Sequence, residues 1–199
     1  AEITAHFEAH RDEMRTADKR RVRVVQFAAA DHCEQAVVEE AEIVDYYNRL
    51  KDSTYKDKPL EEVRAQIAGA LTNQKSLALA GAAASAMQDA LRRDAPAGEA
   101  PSALAERLSS AAAAAGLSVI DTGAFGEDGG VPELGTFPSF QRAAYRVTEA
   151  SPLSEVIYDA GRYFLACWLE TVPGEAPTEL DEAMRRQVGE RILEAEARA

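Results

Sequence analysis

Arg162-Tyr163-Phe164-Leu165-Ala166-Cys167-Trp168-Leu169-Glu170-Thr171-Val172 carries the strongest strand signal in the chain, and its reading decides the fold. Successive side chains of a strand point to opposite faces, so Tyr163, Leu165 and Cys167 share one face while Phe164, Ala166 and Trp168 share the other. Both sets are apolar. One is expected to be core; the other either covers a helix or is open to an extended apolar peptide. Asp159-Ala160-Gly161 reads as the turn into this strand after a segment from Pro152 to Val156-Ile157-Tyr158, and Pro173-Gly174 with Pro177 ends it.

Outward from this strand, a second one stands near the other end. In Arg21-Val22-Arg23-Val24-Val25-Gln26-Phe27 charged and polar residues alternate with apolar ones, as in a half-buried strand. Val22 and Val24, with Phe27, are assigned to one face, and Arg21, Arg23 and Val25 to the other. Leu117 to Thr122 reads as a short strand, and Pro138 opens a short helix through Phe140 and Tyr145. Helical patterns are expected from about Glu2 to Glu13, from Glu39 to Lys51 and from Ser102, as a cap, to Gly116. A charged amphipathic helix closes the chain from Glu179 to Ala197. With Pro59 in its first turn, Leu60 to Arg93 places Leu60, Val63, Ile67, Leu71, Leu77, Leu79, Met87 and Leu91 at helical spacing. At 1.5 Å per residue such a helix reaches on the order of 50 Å, which suggests an arm. The whole predicts an α+β fold. The turn-rich Asp94-Ala95-Pro96-Ala97-Gly98-Glu99-Ala100-Pro101 is the best candidate boundary, giving segments 1–95, 96–175 and 176–199.

A short internal repeat supports packing over chemistry. Ala1-Glu2-Ile3, Phe7 and Arg11-Asp12 return forty residues later as Ala41-Glu42-Ile43, Tyr47 and Lys51-Asp52. Ile and the aromatic fall on one helical face in each copy, so Phe7 and Tyr47 are expected to be packing anchors.

The 199 residues, 46% apolar and rich in Ala, suffice for a sizeable core of close-packed helices. A net charge of −12 opposes any polyanionic partner, so nucleic acid is excluded as an expected ligand. No apolar run is long enough to span a membrane. The chain starts inside a helical pattern without Met, as a piece whose targeting segment and any anchor lie elsewhere would.

Motifs with chemistry are sparse. His6 and His10, at i and i+4, can face one metal, but Glu8 is not placed as in HExxH, and solvent-facing histidines with no metal or cofactor are expected. Gly126, Gly129, Gly130 and Gly135 form neither GxGxxG nor GxxxxGK[ST], and Glu127, Asp128 and Glu133 repel phosphate; a flexible surface loop is expected. No GxSxG occurs and no histidine lies beyond His32. Cys33 and Cys167 have no metal or redox spacing; Cys167 reads as a buried free thiol, with a bridge to Cys33 open only at a Cα separation of about 7 Å or less.

The order of Val119-Ile120-Asp121-Thr122-Gly123-Ala124-Phe125, Pro132-Glu133-Leu134-Gly135, Pro138-Ser139-Phe140, Ser154-Glu155-Val156-Ile157 and Gly161-Arg162-Tyr163-Phe164 resembles a parvulin-type (PpiC-type) module. With the strand Arg21 to Phe27, the helix Ala41 to Asp52 and Pro59-Leu60-Glu61-Glu62-Val63-Arg64 before a long helix, most of the chain is similar to periplasmic folding factors of the PpiD and SurA group. The resemblance implies a helical chaperone-like lobe over 1–95 containing one short strand. A degenerate parvulin-like module over 96–175 follows, and the helix 176–199 returns to the lobe. It implies a periplasmic protein, inner-membrane anchored only through a segment outside this chain, whose partners are unfolded or nascent polypeptides.

Active parvulins carry histidines on the first and last strands of the module, beside an apolar proline pocket. Here Tyr163-Phe164 stands at the last-strand histidine, and if Arg21 to Phe27 is the first strand, Arg23 falls near the other. Phe140 keeps a pocket position. The family is peptidyl-prolyl cis-trans isomerase, yet the expectation is a chaperone fragment without useful catalysis and without catalytic residues. Phe125, Phe137, Phe140, Tyr145 and Tyr163 are its candidate substrate-binding residues. An active isomerase and a dimerisation or scaffold domain remain the alternatives.

Overall fold

Ten residues, Lys19–Ala28, form β1, and with Val22 and Val24 buried on one face and Val25 and Phe27 on the other it lies inside a sheet. The computed structural model describes residues 2–56, 58–182, 184–186, 188–190 and 192. It is α+β, with a four-stranded antiparallel sheet in the order β2-β1-β4-β3. β2 (Val119–Asp121) pairs with β1 in the register Arg23↔Asp121, Val24↔Ile120 and Val25↔Val119. β3 (Ile157–Asp159) and β4 (Arg162–Val172) form a hairpin in the register Ile157↔Phe164, Tyr158↔Tyr163 and Asp159↔Arg162. Its two turn residues, Ala160 (φ 45°) and Gly161 (φ 76°), both take the left-handed conformation that a tight right-twisted hairpin requires.

Beyond the named strands, two buried hydroxyls continue the ladder in the same way. Thr122 N–H donates to Val22 O (2.9 Å), and its Oγ1 accepts from Val22 N–H (3.1 Å). Ser154 N–H donates to Ala166 O (2.8 Å), and its Oγ accepts from Ala166 N–H (2.9 Å). A side-chain oxygen replaces a strand carbonyl at each place.

Both faces of β4 are core. Leu165 and Cys167 join Val25 and Phe27 beneath α3 (Leu60–Arg93) and α4 (Pro101–Ala114), against Ala80, Ala84, Leu104 and Leu108. Phe164 and Ala166 join Val22 and Val24 beneath α5 (Pro138–Tyr145), against Phe140 and Ala144. Phe27 therefore lies with Val25, not with Val22 and Val24: it stands two positions after Val25, with only Gln26 between them, and the strand keeps strict alternation.

α3 has the expected bounds but is not a free arm. Its first half buries Val63, Ile67 and Leu71 against Ile43 of α2 (Glu40–Leu50) and Tyr55, while its second half lays Ala80 and Ala84 toward the sheet core. Small side chains let the helix approach closely. At Gly81 an added Cβ would stand 2.8 Å from Tyr163 Cζ. The expected Ser102 cap is also displaced: Pro101 takes the first turn and Ala100 the cap position, as suits a residue without an N–H.

The turn-rich segment 94–101 joins two helices of one core instead of separating domains. Arg107 pins it, donating to both Glu99 carboxylate oxygens (2.9 and 2.7 Å) and to Leu91 O (2.8 Å). The chain's two compact units are 20–170 and 1–19 with 171–199, not 1–95, 96–175 and 176–199. The physical reason is β1, which enters the sheet between β2 and β4 and ties the early chain to the late strands.

In the smaller unit, α1 (Glu2–His10) and the 3-10 helix Arg11–Met14 replace the single helix expected to Glu13. Thr16 N–H donates to Glu175 O (3.0 Å) and Arg15 Nε to Gly174 O (3.0 Å). Phe7 and Val188 are buried. The described residues between 182 and 192 are helical; positions 183, 187, 191 and 193–199 of the expected closing helix lie outside the described residues.

The repeat's two copies invert their anchors. Phe7 is 2% exposed and Ile3 36%, whereas Ile43 is buried and Tyr47 half-buried, its hydroxyl donating to Lys58 O (2.8 Å).

Candidate functional site

The five aromatics do not assemble into one surface. Phe125, Phe137, Phe140 and Tyr145 lie on the α5 side of the sheet, and Tyr163 on the α3 side. Phe125 and Phe140 are buried core residues. Phe164 sits between Phe137 (centroids 5.1 Å, edge-on) and Phe140 (5.0 Å, tilted), so the protein's own rings fill the space beside Phe140. Tyr145 is half-buried with the Arg20 guanidinium 5.1 Å from its centroid, and Tyr163 leans on Tyr158, which is 52% exposed. Only partial edges of Phe137, Tyr145 and Tyr163 reach solvent.

Arg23 is held in a structural ion network. Its Nε and Nη2 donate to the two carboxylate oxygens of Asp121 (both 2.7 Å), and Nη1 donates to Glu106 Oε1 (2.6 Å) and Ser109 Oγ (3.1 Å). Asp121 and then Glu106 hold the guanidinium firmly in its charged form, and Arg23 in turn holds the Asp121 carboxyl below the usual carboxylate range. A guanidinium with no acceptor role and these partners is a clasp between β1, β2 and α4, not a proton donor to a substrate.

The glycine-rich loop is tied down, in contrast to the flexible loop expected. Buried Gln141 of α5 donates to Gly126 O (3.0 Å) and accepts from Gly130 N–H (3.1 Å), and Glu133 accepts from Gly123 N–H (2.7 Å). Asp159 caps α5 through Ser139 N–H (2.7 Å) and Phe140 N–H (3.1 Å).

His6 and His10 stack at 4.1 Å with a 24° interplanar angle, and rings so nearly parallel do not aim their lone pairs at one point. Among the described residues, no three His, Cys, Asp or Glu side chains are grouped to hold a metal. Cys33 is exposed and Cys167 buried, both as free thiols; burial pushes the Cys167 thiol up to about 12, which keeps it protonated and unreactive.

The sequence reading missed a surface. Gln35, which ends the 3-10 helix Ala29–Gln35, and Ala36 and Val37 after it face Lys75, Ala78 and Leu79 of α3 across an open apolar pocket of about 410 Å³. Val37 is 64% exposed. Lys75 Nζ closes one wall, donating to Val37 O and Glu42 Oε2 (both 2.6 Å); this bond, more than any other influence, holds Glu42 below its ordinary range. The available signal was the Ala36-Val37-Val38 run outside any helix, flanked by acids at Glu34 and Glu39.

No protein-family model matches the chain, and no curated protein or solved structure matches it. No helix among the described residues is long and apolar enough to cross a membrane.

Proposed function

We propose that this chain is a folding-factor module that holds non-native polypeptide and does not catalyse prolyl isomerisation. The observation that carries the holding role is the open apolar groove between Gln35-Ala36-Val37 and Ala78-Leu79, where an exposed valine faces Ala78 and Leu79 of α3. Extended segments of a partly unfolded client offer the apolar side chains such a groove lacks. This moves the client-binding surface away from the late aromatics, which serve the core.

The parvulin-like reading gains support from the place of β1, because Arg21 to Phe27 lies in the same sheet as the late strands. Absence of isomerase activity follows from the site's contents. Phe140, the side chain at the family's pocket position, is 0% exposed and packed against Phe164, which Phe137 meets edge-on, and Arg23 is engaged by two carboxylates. A prolyl ring has no room beside Phe140. On this reading the protein works in the periplasm, with unfolded polypeptides as partners.

The test is suppression of thermal aggregation of a model client by the wild-type chain and by Val37→Asp, alongside a protease-coupled prolyl-peptide assay. Holding by wild type, loss in Val37→Asp and a prolyl rate at background are expected. A robust prolyl rate lost in Phe140→Ala would replace this reading with an isomerase.

A further inference from the structure

The groove has a polarity as well as an apolar floor. From Asp31 to Asp45 the chain carries Asp31, Glu34, Glu39, Glu40, Glu42 and Asp45 and no Lys or Arg. Two of these are neutralised from α3, Glu40 by Arg64 and Glu42 by Lys75. Asp31 caps its own turn by accepting from Ala28 N–H (3.1 Å). Glu34 and Glu39 are exposed, have no basic partner among the described residues, and bracket Gln35, Ala36 and Val37 in sequence. The cation at the groove, Lys75, is already engaged by Val37 O and Glu42.

We propose that the groove selects apolar segments flanked by Lys or Arg. This rests on the holding role argued above and specifies its substrate class. An apolar stretch seats against Val37, Ala78 and Leu79, while basic flanks meet Glu34 and Glu39, the exposed acids that bracket the groove-lining segment Gln35-Ala36-Val37 in the chain. The chain's net charge of −12 attracts the same segments at long range, whereas Glu34 and Glu39, next to the groove-lining segment, set where the cations rest. A segment with acidic flanks meets like charge at both scales.

Three labelled peptides sharing one Leu/Val core, flanked by paired Lys, paired Ser or paired Glu, test this by fluorescence anisotropy. At low salt the Lys-flanked peptide is expected to bind at least about tenfold tighter than the Glu-flanked one, with the gap closing as screening shortens to about 3–4 Å in 0.6–1 M salt. Glu34→Gln with Glu39→Gln narrows the gap. Glu127→Gln with Asp128→Asn, which removes the same charge from the glycine-rich loop on the other side of the sheet, leaves most of it. Val37→Asp weakens all three peptides. Equal binding of the three peptides overturns the charge selectivity and leaves the holding role standing, as does equal narrowing by the two pairs of charge-removing substitutions, which assigns the effect to net charge. Failure of all three to bind removes both.

Discussion

The sheet and the α2–α3 hairpin solve the problem of burial differently. β1 and β4 are covered on both faces, so Val22, Val24, Val25, Phe27, Phe164, Leu165, Ala166 and Cys167 are all withdrawn from water. The hairpin buries one cluster only, Ile43, Tyr55, Val63, Ile67 and Leu71, and beside it Val37 and Val44 stay exposed. Stability concentrates where two layers close on a sheet, and an accessible apolar surface is left where a single layer does the work. α3 belongs to both regimes. Its first half is one wall of the hairpin, and its second half is part of the sheet's cover.

Large-to-small substitutions break this comparison most directly. Phe164→Ala is expected to cost about 4 kcal/mol in chemical denaturation, because its ring fills the middle of the α5-side core between Phe137 and Phe140. Ile67→Ala should cost about 2–3 kcal/mol and raise hydrogen exchange in α2 and the first half of α3 ahead of the sheet. Equal exchange increases in β1 and β4 would mean that hairpin and sheet open as one unit, erasing the distinction.

A smaller effect sharpens the account of the sheet itself. Thr122→Val and Ser154→Ala each leave a buried strand N–H, of Val22 or Ala166, without its acceptor, and each should cost about 1–3 kcal/mol in urea denaturation. A cost near zero at either site would show that the hydroxyl is replaceable there by water or a backbone shift.

The smallest expected effect is a pH dependence. Asp121 has its folded pKa depressed, first by the hydrogen bond from Arg23, so the unfolded chain binds a proton more readily. The sign follows: its contribution is present above the unfolded value near 4, and is lost as pH falls through the lower folded value. With the carboxylate 41% exposed, solvent screening limits this to below about 1 kcal/mol. Asp121→Asn should flatten the acid limb of a stability–pH curve and leave neutral-pH stability only slightly reduced. An unchanged acid limb would move the pH dependence to other carboxylates.

Much of the secondary structure was legible because it rests on local rules. Leu60 to Arg93 announces itself by period, Arg162 to Val172 by its unbroken apolar run, and Pro138 by its fitness for a first helical turn. The candidate site was less legible. Aromatic composition drew attention to Phe125 and Phe140, but an apolar ring serves a core and a binding surface equally well in sequence, and here both are buried. The groove escaped because its floor joins residues 35–37 to residues 75–79, a pairing no local pattern encodes.

By itself, the sequence determined the helix and strand periods, the two-sided apolarity of the last strand, the tight turn at Ala160-Gly161 and the acidic charge that disfavours nucleic acid. Each follows from steric preference, side-chain alternation or Coulomb repulsion acting within a short stretch or over the whole composition. Tertiary structure alone decided that β1 lies between β2 and β4, that segment 94–101 is a turn within one core, that Phe140 is packed shut and that Val37 is not. Those outcomes depend on which faces meet between segments far apart in the chain, where burial of all available apolar surface, not any local preference, selects the arrangement.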